Sequence, residues 1–223
     1  MADWDSADLL ARIKRLTDAP ALDEAMTDAD WYQYLTQGQQ RIVRIIATHA
    51  PGALMEAPAT LSTADGGVTY TFPNSDFPLG YAEIRDGRAG SVLTPGSDFN
   101  EWADYVLEGS RIRMVGGRAR TFGNGLYCRY VKLPAAISAS SEPTLQPEPM
   151  RELIVYAGAE EWAMTGGLRD PAPYASLLQK KLSGDPMIPG DTGWLGSLKT
   201  RVFGQGSDGA YGGMAYWWRG SLR

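Results

Sequence analysis

Two kinds of hydrophobic periodicity alternate along this chain, and their order restricts the folds open to it. Trp31, Leu35, Gly38, Ile42, Ile45, Ile46 and His49 recur at steps of three and four, which puts an apolar stripe along one α-helix. Thr27 to Asp30 reads as a capping box at its start, and "HAPG" ends it, since proline cannot continue the hydrogen-bond ladder. Helical periodicity returns at Met150. Between the two helical regions, strand and turn signals crowd together. An insertion of this kind must leave and re-enter a helical bundle at neighbouring helix ends.

Around that pattern the other elements fall into place. "SADLLARIKRL" spaces Leu9, Leu10, Ile13 and Leu16 helically, with Asp5 or Ser6 as its cap. "MRELIVYAGAEEWAM" predicts a helix burying Met150, Leu153, Ile154, Ala157 and Trp162, ended by Gly166-Gly167. "DPAPYASLLQKKL" starts another, with Asp170 as cap, Pro171 in the first turn, and Tyr174, Leu177, Leu178 and Leu182 on one face. In the interruption, "TLSTADGGVTYTF" and "YAEIRDGRAGSVL" each read as two strands about a glycine turn, at Asp65-Gly66-Gly67 and Asp86-Gly87. "DYVLEGSRIRMV" and "RTFGNGLYCRYVKL" give two more pairs, turning at Glu108-Gly109 and Gly123-Asn124-Gly125.

The predicted fold class is α+β: a helical bundle with an inserted antiparallel β domain, sheet or small barrel, and a long extended C-terminal tail. The predicted boundaries are 1–57 for the first bundle helices, 58–137 for the β domain and 138–149 for a Ser/Pro-rich linker. The second set of bundle helices spans 150–183, and a glycine- and aromatic-rich tail spans 184–223.

Composition excludes several functions. The 223 residues contain no apolar run approaching a membrane span, and "MADWDSADLL" is acidic where a secretory signal would be basic and then apolar. The expectation is a protein made in a cytoplasm with no membrane partner. Cys128 is the one cysteine, so an intrachain disulfide is impossible. His49 is the one histidine and falls on an apolar helix face, which gives it a core or capping role. "GQGSDG" at 204–209 matches a dinucleotide-binding string, but "AYGGMAYWW" follows where a helix must begin. Glu160-Glu161 and the group Asp98, Glu101 and Asp104 read as solvated faces, since adjacent helical glutamates cannot flank one bond. No catalytic, cofactor or metal site is expected, and the chain is read as a non-enzyme.

Charge and aromatic content are both uneven. Residues 1–30 hold eight acids and three bases, which accounts for the whole net charge of −5. Residues 109–141 contain no acid and six bases: Arg111, Arg113, Arg118, Arg120, Arg129 and Lys132. In "RIRM" the arginines alternate with Ile112 and Met114, so one sheet face is basic while the other packs inward. That face is either an ordinary solvated surface or a charged interface for an acidic partner or passing phosphates, with Arg111, Arg113, Arg118 and Arg120 as its candidates. From Gly184 onward, helical periodicity is absent from the reading, ten of forty residues are glycine, and large aromatics accumulate. Trp194, Phe203, Tyr211, Tyr216, Trp217 and Trp218, with Arg219, are the candidate partner-binding residues, because aromatics and arginine carry binding hot spots.

"DWYQYLTQGQQRIVRIIATHAP" before the insertion, "APATLSTADGGVTYTFP" opening it and "PMRELIVYAGAEEWAMTGGLRDPAPYASLLQKKL" after it resemble the head–tail adaptor proteins of tailed double-stranded DNA bacteriophages. The resemblance covers most of the chain and differs from the smallest members in the size of the β insertion. It implies a virion structural protein of the head–tail neck, assembled in the bacterial host cytoplasm. It further implies a homo-oligomeric ring, dodecameric in the family, docked on the portal through its C-terminal tail and joined below to a tail or neck protein. Genomic DNA would pass through the channel without sequence-specific binding. Two alternatives stand beside it: a neck or tail-tube protein, and a carbohydrate-binding β module on a helical stalk, against which Trp102 is the only tryptophan of the β region.

Overall fold

The computed structural model describes residues 4–18, 26–54, 59–63, 69–73, 78–87, 91–96, 103–115, 125–166 and 169–203. The chain divides into two compact units, Met1–Ala53 with Ala135–Arg223, and Leu54–Pro134.

The first unit is helical: α1 (Ser6–Thr17), α2 (Asp28–His49), α3 (Glu152–Gly166), α4 (Ala172–Ser183) and α5 (Gly193–Phe203). Asp5 caps α1 by accepting from the Asp8 amide at 2.7 Å. The capping box of α2 forms as the sequence predicts: Asp30 accepts from the Thr27 amide at 2.8 Å, and Thr27 accepts from the Asp30 amide at 3.4 Å. α3 lies at the centre, packed against α1, α2 and α4. Leu153, Ile154, Ala157 and Ala159 are fully buried and Val155 and Trp162 nearly so, which is why its apolar residues surround it instead of forming one stripe.

The α2–α3 contact is set by two glycines. A Cβ on Gly38 would lie 2.7 Å from both the Gly158 nitrogen and the Ile154 oxygen, so the two backbones touch there. Trp31 and Trp162 pack at one end of the crossing, with ring centroids 5.7 Å apart. The serine- and proline-rich segment before α3 is tied along α2. Gln39, fully buried, donates to the Ala135 carbonyl at 3.2 Å and accepts from the Thr144 amide at 2.9 Å. The Thr36 hydroxyl accepts from the Ile137 amide at 2.9 Å, and Ile137 and Leu145 are buried. A linker by composition is therefore a packed strap.

Residues 184–203 depart from the extended tail expected there. Gly193–Phe203 is helical, and its Leu198 is buried against the bundle, where α5 packs on α4 and α2. Glycines at 193 and 196 weaken the helical signal that Trp194, Leu195 and Leu198 would otherwise carry. Leu177 also differs from expectation, being 39% exposed while Tyr174, Leu178 and Leu182 are buried.

The second unit is all β: β1 (Ala59–Thr60), β2 (Ser62–Thr63), β3 (Thr69–Thr71), β4 (Pro78–Asp86), β5 (Tyr105–Glu108), β6 (Arg111–Met114) and β7 (Leu126–Lys132). One sheet has the order β1-β7-β4, the other β2-β3-β6-β5, with every pairing antiparallel. The chain crosses between sheets at Leu61, whose amide donates to the Leu126 carbonyl. Both sheets line one core that includes Tyr70, Ile84, Tyr105, Ile112, Leu126 and Cys128. Phe72 meets Tyr130 edge-on at 4.9 Å across it. Among the described residues the arrangement is two sheets around a shared core, not a closed barrel.

The predicted pairings at Asp65-Gly66-Gly67, Asp86-Gly87 and Glu108-Gly109 correspond to β2–β3, the β4 return to Val92 and β5–β6. Gly87 and Gly109 take φ of 75° and 64°, the left-handed region that those tight returns require. The first half of "RTFGNGLYCRYVKL" lies outside the described residues. β7 itself pairs with β1 and β4.

Candidate functional site

The surfaces marked by sequence behave differently once folded. In β6, Arg111 is exposed and Arg113 half-buried, while Ile112 and Met114 face the core, as the alternation predicts. The acids missing from residues 109–141 arrive from other strands. Arg113 pairs with Glu108 at 2.6 Å, Arg111 stands opposite Glu108 in the ladder, and Arg129 stands opposite Glu83. Arg118 and Arg120 lie outside the described residues.

Four acids of the N-terminal stretch are likewise engaged internally. Asp8 pairs with Arg12 at 2.6 Å, Asp28 pairs with Lys14, and Asp5 and Asp30 cap helices. The Thr27 amide and then the Thr27 hydroxyl hold the Asp30 carboxyl below the usual carboxylate range. Arg12 in turn lies 3.9 Å over the Trp4 ring.

Glu160 corrects its reading as part of a solvated face: it is buried, at 7% exposure. Arg41 of α2 bridges both glutamates of α3, reaching Glu160 at 3.0 Å and Glu161 at 3.3 Å. Glu160 Oε2 is buried with no hydrogen-bond partner. Asp104 is buried as well, and accepts from the Thr94 amide at 2.8 Å. Asp98 and Glu101 lie outside the described residues. His49, expected in the core or as a cap, is exposed, and its Nδ1 donates to the Ile45 carbonyl one turn back at 2.9 Å. Burial pushes the Cys128 thiol up to about 12, which leaves it protonated and inert at neutral pH. Among the described residues no three His, Cys, Asp or Glu side chains converge on a metal position, and no helix is long and apolar enough to cross a membrane.

The candidate partner-binding residues separate. Trp194 sits half-buried in the first turn of α5, and Phe203 closes that helix. Tyr211, Tyr216, Trp217, Trp218 and Arg219 lie outside the described residues. Ahead of α5 the structure adds a surface that the periodicity passed over. Met187 is 85% exposed and Ile188 57%, at the tip of the turn between α4 and α5. The signal for it was present as an apolar pair bracketed by Pro186 and Pro189.

Residues 5–190 match the SU10 adaptor protein family. The chain belongs to that family. The match spans both units and the turn that follows α4, and it stops before α5. It agrees with the resemblance to phage head–tail adaptors and makes the chain a structural adaptor of a phage virion. Comparison with curated proteins gives no match.

Proposed function

We propose that this adaptor forms a homo-oligomeric ring that docks on the portal through the segment following Phe203 and joins the head to a tail or neck protein below. The observation carrying this reading is the family match over both units, and beyond α5 the chain goes on to Tyr211, Tyr216, Trp217, Trp218 and Arg219, residue types suited to docking. Burying one such aromatic is worth roughly 1.5–3 kcal/mol, against about 1–2 kcal/mol per residue for ordering a backbone. The margin for one segment is thin. A ring multiplies it, since seated neighbours hold the remaining segments at high local concentration.

In this reading the adaptor is not an enzyme, and genomic DNA passes through the ring without sequence-specific contacts. The exposed Arg111 lies on the β unit, where it steers an acidic neighbour or the passing phosphates. Individual exposed pairs are weak, so its influence is largest at low salt.

The deciding experiment is truncation after Phe203, leaving α5 in place. Attachment of the chain to portal-bearing heads should be lost while helical circular dichroism and melting stay as in the full chain. Normal attachment of the truncated protein would place docking elsewhere.

A further inference from the structure

The strap before α3 is fastened to the helices through side chains. Gln39 donates to the Ala135 carbonyl at 3.2 Å and accepts from the Thr144 amide at 2.9 Å. Thr36, about one turn earlier on α2, accepts from the Ile137 amide at 2.9 Å. Arg151, itself buried, holds the far end by donating to the Leu145 carbonyl at 3.0 Å and, through Nη1, to the Trp4 carbonyl at 2.9 Å. From Ala135 to Leu145 the backbone–backbone bond among the described residues runs within the strap, from the Ser141 amide to the Ser138 carbonyl. No ladder ties this stretch to α2 or α3.

The two ends are held unequally. Leu145 is 1% exposed and shares its anchor with Trp4, so release there would also free the start of α1. From Ala135 to Thr144 most side chains face water, and Ile137 and Pro143 are the apolar ones buried. A segment with few buried apolar groups and no ladder opens locally at less cost than the helices it lies on. Opening leaves no orphaned group either, since Gln39 and the freed strap amides then meet water. The place of the strap in the chain gives that opening a consequence. β7 ends at Lys132, the β unit ends at Pro134, and Ala135 is already held by Gln39. With the strap shut, Leu133 and Pro134 alone lie between, and two residues span at most about 7 Å. With residues 135–144 released and Leu145 still held, the free stretch 133–144 spans up to about 40 Å.

We infer that residues 135–144 are a latch that stores a length of chain. Gln39 and Thr36 keep it shut, and its release as one piece lengthens the tether of the β unit while both units stay folded. The other connection, between Ala53 and β1 at Ala59, stays short, so the longer tether lets the β unit reorient about that point without drifting free. The latch lies within one chain and stands apart from the ring proposed above.

Hydrogen exchange in the full-length protein tests it, because each strap amide can be read against the side chain that does not hold it. Thr36→Val removes the tie to Ile137 and should speed exchange at the Thr144 amide about threefold. Gln39→Ala removes the ties to Ala135 and Thr144 and should speed exchange at the Ile137 amide about tenfold. Amides within α2 and α3 should keep their wild-type exchange in both variants. A variant that loosens only the amide it held would make the strap a set of separate contacts and overturn the latch. Exchange of α2 and α3 together with the strap would make its opening an unfolding of the helical unit, which also overturns it. The tether is read with donor and acceptor dyes on Leu133→Cys and Glu148→Cys, both exposed positions, while the buried Cys128 does not compete. Adding Gln39→Ala should bring a population at longer distance. A single unchanged distance in that chain would mean that no length is stored.

Discussion

Gly38 and Gly158 bring α2 and α3 together at backbone contact, and no side chain fits between them. The two positions differ in severity. A methyl on Gly38 meets backbone atoms at 2.7 Å, whereas one on Gly158 meets the Tyr34 oxygen at 3.0 Å and the movable tip of Ile13 at 3.1 Å. Gly38→Ala should destabilise the helical unit by about 1–3 kcal/mol and Gly158→Ala by less, despite alanine's better helix propensity. Denaturant unfolding followed by helical circular dichroism measures both. Wild-type stability for Gly38→Ala would mean that the helices stand further apart.

Arg41 keeps Glu160 tolerable in the interior. Arg41→Met removes the cation and leaves a buried carboxylate unpaired, for a loss of about 1–3 kcal/mol, moderated because Arg41 is 34% exposed. Adding Glu160→Gln to that variant should recover part of the loss, since the neutral amide costs less to bury. A double variant no more stable than Arg41→Met would show that the ion pair does not hold the site.

Cys128 should ignore maleimide and disulfide reagents in the folded protein at neutral pH. Its thiol, raised to about 12 by burial in the β core, carries almost no thiolate. Mass spectrometry with and without denaturant reads this directly: modification on unfolding only is the expected outcome. Rapid labelling of the native chain would place this strand at an open edge.

The turn between α4 and α5 should loosen in acid. Backbone donors at Asp185 and Gly193 lower the Asp191 carboxyl, and the Met187 amide, then Lys180, lower that of Asp185. A carboxyl lowered in the folded state stabilises fully above its unfolded value, near 3.9, and that contribution is lost as pH falls below it through the folded value. Protection of the Asp185 and Gly193 amides against hydrogen exchange, relative to the unfolded chain at the same pH, should therefore fall below about pH 4. Replacement of Asp191 by Asn should bring faster exchange at neutral pH. Pressed to pH 3 without any change, the turn would be held by its glycines alone.

Truncation after Leu182 should behave differently from truncation after Phe203. The shorter chain loses α5, whose buried Leu198 covers the bundle, and gives up about 1.5–3 kcal/mol for that side chain. Its melting temperature should fall while that of the longer chain does not. Equal melting would make α5 dispensable to the core.

Local chemistry wrote much of this fold into the sequence. Thr27 and Asp30 are three residues apart and cap α2 wherever it sits, and glycine at 87 and 109 permits returns that other residues resist. The stripe from Trp31 to Ile46 and the β6 alternation are read within one element, so they survive without knowledge of its neighbours.

What the sequence could not decide were the relations between elements. Residues 109–141 look purely basic because Glu108 pairs with Arg113 from a neighbouring strand and Glu83 stands opposite Arg129 in the ladder. Glu160 looks solvated because Arg41 lies 119 positions away. The strap before α3 looks free until Gln39 binds its backbone, and α5 looks extended until Leu198 finds the bundle. Periodicity and capping depend on neighbours a few residues distant and are fixed by the order of the chain. Ion pairing, burial and backbone contact depend on distance in space, which only packing sets.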